Sequence, residues 1–103
     1  MKKIINGKVY DTETATEVRS YERGNVSDFH YIQEILYKTK RGSWFLYRDA
    51  GALSGYGGSL PNNGGWYGTE NIEAMDNEEA FEWLSRHDAE LAMEYFSDTV
   101  EEA

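Results

Sequence analysis

The chain has no cysteine, a single proline and only two histidines in 103 residues. Without cysteine there is no disulfide framework, no thiolate nucleophile and no Cys-ligated zinc, and the composition fits a reducing cytosol. No apolar run approaches the ~20 residues that a membrane-spanning helix needs. The start, "MKKIINGKVYD", lacks the apolar stretch of a signal peptide. The expectation is a soluble, cytoplasmic protein with no membrane partner.

The motifs of the common catalytic and metal sites are missing too. There is no HExxH, no His pair at ligand spacing, no EF-hand loop and no Gly-x-Ser-x-Gly elbow. His30 lies between Phe29 and Tyr31 in a strand-like run, and His87 lies at an apparent helix break. Both are expected to be ordinary packing or surface histidines. A small hydrolase remains a third possibility, but it would need a pocket joining one of them to a nucleophile. We therefore expect a non-enzymatic protein with no cofactor.

Positive charge is scarce in one part of the chain only. Residues 1–69 hold seven acids and nine bases, whereas residues 70–103 hold twelve acids and one base, Arg86. The last third therefore carries the whole excess behind the net charge of −9. Duplex DNA, with a charge every ~1.7 Å, would repel that end, so a partner for it should be a basic protein surface and not nucleic acid itself.

What is present reads as strands followed by helices. "INGKVY" contains the Asn-Gly pair that favours a tight hairpin, although one strand running through Tyr10 to a turn at "DTET" is equally compatible. "TEVRSYE" is β-rich. "FHYIQEILYKTK" and "SWFLYRDAG" flank Arg41-Gly42 as a hairpin, with Trp44, Phe45, Leu46 and Tyr47 forming the run of a well-buried strand. Residues 51–68 hold seven of the ten glycines and the only proline, and form a long loop. That loop lacks the Gly-Lys-Ser/Thr ending of a phosphate cradle, but Tyr56, Trp66 and Tyr67 could anchor a partner or pack back on the sheet.

"NIEAM" reads as a short edge strand. Asp76 with Glu79 then forms a capping box, and Ala80, Phe81 and Leu84 line one side of the helix that follows. Asp88 is placed to cap a second helix from Ala89, with Leu91, Ala92, Tyr95, Phe96 and Val100 recurring as an apolar face. The expected fold is a single α+β domain: an antiparallel sheet of about four to five strands with two C-terminal helices packed on one face.

The acids divide by whether the helices explain them. Asp76, Glu78 and Glu79 favour a helix N-terminus, and Glu82 precedes Arg86 by four residues, the better order for an ion pair. Glu90, Glu94, Asp98 and Glu101 are expected along one stripe of the second helix, where like charges and the C-terminal dipole oppose them. Such a stripe is either a solvated face or an imitation of nucleic-acid phosphates. One charge per ~6 Å of helix is thin for a mimic. The first helix, Glu70 and Glu73 would have to join it on the same side.

"KKIINGKVYDTETATEV", "EILYKTKRGSWFLYRDAGALSGY" and "NIEAMDNEEAFEWL", taken together, resemble a loosely defined family of small acidic proteins from bacterial mobile elements. That family shares an INGKxYDTETA start, an LYxTKxGxxFLY hairpin and an acidic EEAxxWL helix. Ala50-Gly51 stands where its pattern has Gly-Gly. Some small phage and plasmid proteins of this kind are anti-CRISPR proteins that block Cas effectors. The resemblance implies an inhibitor acting in the bacterial host cell on a Cas effector subunit. Glu78, Glu82, Glu90, Glu94, Asp98 and Glu101 are then its candidate contacts, with Trp66 and Tyr67 as loop anchors. The alternative is an accessory interaction domain that uses Tyr56, Trp66 and Tyr67 or a sheet edge, its acids serving solubility.

Overall fold

Asn6 and Gly7 both have positive φ, 52° and 77°, the geometry of a type I′ turn. That turn joins β1 (Lys2–Ile5) to β2 (Lys8–Asp11) in an antiparallel hairpin, with Ile5 opposite Lys8 and Lys2 opposite Asp11. Of the two readings compatible with the sequence, the tight hairpin is the one that forms. The "DTET" turn exists as well: the Asp11 side chain accepts the Glu13 N–H at 2.9 Å, and the Ala15 N–H donates to the Asp11 carbonyl at 3.1 Å. The computed structural model describes residues 1–24, 29–52, 58–59, 66–67 and 69–103.

Next come β3 (Thr16–Arg23), β4 (Ile32–Lys38), β5 (Trp44–Ala50), the two-residue strands β6 (Gly58–Ser59) and β7 (Trp66–Tyr67), and β8 (Thr69–Met75). The main sheet runs β3-β4-β5-β8, antiparallel throughout, while among the described residues β6 pairs with β7 alone. The β4–β5 hairpin lies where the sequence places it, with Ile32 opposite Ala50 and Lys38 opposite Trp44. Its turn is closed by Gly42 N–H to Thr39 carbonyl at 2.9 Å and by Thr39 N–H to Ser43 carbonyl at 2.8 Å. Gly42 has φ +87°, the left-handed conformation that lets a short turn rejoin its strands. "FHY" is not strand from its start, because Phe29 and His30 form a turn and β4 begins at Ile32.

Strand alternation gives the sheet two apolar faces. On one, Leu36, Trp44 and Leu46 pack against Ala80, Trp83, Leu84 and Ala92 of α1 (Asn77–His87) and α2 (Ala89–Tyr95). On the other, Tyr37, Phe45 and Ile72 pack under Tyr10 of the N-terminal hairpin. Tyr10 meets Phe45 edge-on at 5.6 Å, and Tyr37 stacks on Phe45 at 5.0 Å. Lys3 fastens the hairpin to β8, donating to Asn71 Oδ1 at 2.8 Å and to the Ile72 carbonyl at 3.2 Å. The architecture is α+β with both helices on one face, and β8 is an edge strand.

The second helix is shorter than its apolar spacing suggests. It ends at Tyr95, with residues 96–99 in turns and 100–103 without regular structure. Ser97, Asp98 and Thr99 are poor helix interior residues, and no base stands in the last turn to favour the C-terminal dipole. Phe96 instead turns inward, stacking on Trp44 at 5.4 Å and meeting Phe81 edge-on at 5.4 Å. Asp98 and Glu101 are therefore not on a helix, and the expected four-residue stripe stops at Glu94.

Candidate functional site

The capping box of α1 is complete. Asp76 Oδ1 accepts the Glu79 N–H at 2.8 Å, and Glu79 Oε1 accepts the Asp76 N–H at 3.1 Å. Asp88 serves both helices. Its N–H donates to the Leu84 carbonyl at 2.7 Å, and its carboxylate accepts the Leu91 N–H at 3.2 Å and lies 3.4 Å from Arg19. These three carboxylates are committed to holding the helices.

Glu78 and Glu82 on α1, and Glu90 and Glu94 on α2, are all exposed. Because both helices bury their other sides on the same sheet face, these four belong to the outer side of one helical layer. The expected Glu82–Arg86 pair does not form: no salt bridge joins them among the described residues. Both residues are exposed, and at an exposed site such a pair gains only a few tenths of a kcal/mol against the entropy of ordering two long side chains. Met93 and Tyr95, also exposed, place apolar surface beside Glu94. Asp98 and Glu101 are exposed beyond α2.

Glu70 and Glu73 do not share a side. Glu73 pairs across from Leu46, on the helix face, and lies 3.4 Å from Arg48. Glu70 pairs across from Asp49, on the hairpin face, and takes a hydrogen bond from Tyr47. Glu70 therefore cannot join the helical acids. Burial, then the negative charges of Glu70 and Asp49, push the Tyr47 hydroxyl up to about 12.

A polar cluster that no sequence motif signalled lies under α1. The buried Glu34 accepts the Trp83 indole N–H at 3.2 Å through Oε1 and pairs with Arg48 through Oε2, at 2.8 Å to Nη2 and 2.9 Å to Nε. This two-pronged contact, with the indole donor, gives both oxygens of the buried carboxylate a partner. His87 is packed between the Trp83 and Tyr21 rings, at 4.3 and 4.4 Å. Burial lowers its pKa; Glu34 pulls the other way, while Arg86 and Arg19 add to the lowering. His30 is exposed in its turn.

Tyr56 lies outside the described residues. Trp66 and Tyr67 form β7, and only their backbone pairing with β6 is described, so the loop-anchor expectation has no side-chain geometry to stand on. Among the described residues no helix is long and apolar enough to cross a membrane. Comparison with known protein families, curated proteins and solved structures finds no match to this chain.

Proposed function

We propose that the protein is a small non-enzymatic inhibitor from a mobile element, an anti-CRISPR protein. In this reading it offers the outer side of its helical layer to a basic, nucleic-acid-facing surface of a Cas effector. One observation carries the reading. Glu78, Glu82, Glu90 and Glu94 stand exposed on that layer with no ion pair among the described residues. The acids that hold the fold, by contrast, each have a partner: Glu34, Asp76, Glu79 and Asp88.

Two helices side by side offset the sparseness of a single stripe, where one carboxylate per turn gives a charge only every ~5–6 Å. Charges of this kind act mainly on encounter rate and orientation, and salt weakens them over a Debye length of about 8 Å at physiological ionic strength. Met93 and Tyr95 add the apolar contact that a charged surface alone lacks. Asp98 and Glu101 contribute charge beyond α2 without helical spacing.

The test is inhibition of target-DNA binding by a panel of purified Cas effector complexes. The wild-type chain is compared with an E78K/E82K/E90K/E94K variant at low and high salt. We expect inhibition of at least one effector, weakened at least about tenfold by the reversal, in line with a loss of over 1.4 kcal/mol. Inhibition untouched by both reversal and salt would instead favour contact through the aromatic loop or a sheet edge. Inhibition of no effector would remove the reading.

A further inference from the structure

Lys8, which opens β2 directly after the first hairpin turn, and Lys40 with Arg41, from the β4–β5 turn, line a single cleft of about 600 Å³. It lies on the hairpin side of the sheet, beside Tyr10, and not on the acidic layer. Its volume falls in the range of small-molecule sites, roughly 300–1,000 Å³. Both turns are fixed by their own backbone. Type I′ geometry sets Lys8, and the Gly42-to-Thr39 hydrogen bond makes Lys40 and Arg41 the two central residues of a closed turn.

The cations of the cleft differ from most others in the chain. Lys2, Arg19 and Arg48 have carboxylate partners, Lys3 donates to Asn71, and Lys38 lies over the Trp44 ring at 5.0 Å. Lys8, Lys40 and Arg41 make no ion pair among the described residues. The one acid in the lining, Asp11, already accepts the Glu13 N–H at 2.9 Å and has Lys2 at 3.9 Å. Four hydroxyl-bearing residues, Tyr10, Thr14, Thr39 and Ser43, add to the polar lining. Thr39 Oγ1 accepts the Ser43 N–H at 3.0 Å, a bond that leaves its hydroxyl proton uncommitted.

We infer that this cleft binds a small ligand carrying two or more phosphate groups, of nucleoside-triphosphate size. Three cations against one acid in the lining match the charge of a polyphosphate better than that of a single phosphate dianion. The guanidinium fork and the two ammonium groups suit phosphate oxygens, and hydroxyl donors suit them further. The chain as a whole carries −9 and repels polyanions at long range. Any such binding is therefore local, acting within the ~8 Å over which salt leaves charges visible. This site goes beyond the proposed inhibitor role and stands or falls apart from it.

The test is isothermal titration and amide chemical-shift mapping at 150 mM salt, on the full chain, with inorganic triphosphate, ATP and a 12-nucleotide single strand as probes. The variants are K40Q/R41Q on one turn, K8Q on the other, and R23Q as a cation outside the cleft, all checked for unchanged circular dichroism. We expect saturable binding of triphosphate and ATP, with shifts in both turns. Losing hydrogen bonds to two charged groups should weaken binding at least about tenfold in K40Q/R41Q. K8Q should weaken it as well, and R23Q should leave it unchanged. Absence of saturation, an effect of one turn only, or an equal loss in R23Q would overturn the assignment. So would tighter binding of the oligonucleotide than of ATP, which would mark a backbone track and not a small-ligand site.

Discussion

The two covers of the central sheet solve the same problem with different means. The helical cover buries Trp83, Leu84, Ala80 and Ala92 and fixes itself with two caps and the Glu34–Arg48–Trp83 cluster. The hairpin cover has ten residues, buries Tyr10 alone among them, and leaves Ile4 and Val9 exposed at 71% and 58%. Its attachment is Tyr10 on Phe45 and Lys3 on β8. Stability is thus concentrated on the helix side. Surface charge differs along the same line: Glu78, Glu82, Glu90 and Glu94 lie on the helical layer without an ion pair among the described residues, and Lys8, Lys40 and Arg41 line the cleft beside the hairpin.

The sharpest way to break that contrast is Trp83→Ala. It removes the largest fully buried side chain and takes the indole donor from Glu34, and we expect a loss of about 3–5 kcal/mol in urea unfolding. Trp83→Phe keeps most of the bulk and should lose about 1–3 kcal/mol, the penalty for the unsatisfied carboxylate oxygen. A Trp83→Phe variant as stable as wild type would show that the indole hydrogen bond to Glu34 adds nothing.

Gly7→Ala probes the other cover and should cost less, about 1 kcal/mol by the same measurement. No atom stands within 4 Å of the added Cβ, so the cost is conformational, set by φ +77° alone. A loss as large as that of Trp83→Ala would overturn the ranking of the two covers.

The smallest effect concerns pH. Tyr47 on the hairpin face has its hydroxyl raised to about 12, so between pH 10 and 12 the unfolded chain holds fewer protons than the folded one. Its stabilising contribution is whole below pH 10 and is lost as pH rises towards 12. Tyr47→Phe should therefore flatten the alkaline fall in Tm between those values. Tyr31 and Tyr37, raised chiefly by burial, keep part of the slope.

The features legible in the sequence were those set by residues close together. Asp76 with Glu79, Asp88 as the joint between helices, and Asn6-Gly7 as a hairpin option all act over three or four residues. Beyond Tyr95 spacing and structure part company: spacing places Phe96 and Val100 on an apolar face, whereas weak helix formers between them end the helix. Glu70 and Glu73 needed only strand parity: three residues apart in β8, they must face opposite ways. Trp83 and Glu34, 49 positions apart, and the cleft shared by Lys8 and Lys40, depend on tertiary contact and leave no local pattern.

The Lys3 anchor has a consequence for the order of folding. Its contact with Asn71 spans 68 residues, whereas β3, β4 and β5 pair with their neighbours in sequence. Closing so long a loop carries an entropy cost that neighbouring strands avoid, so the meander can assemble first. On the ribosome, Ile72, which completes the surface under Tyr10, emerges after both hairpins have left the tunnel. The hairpin made first is therefore the element that docks late.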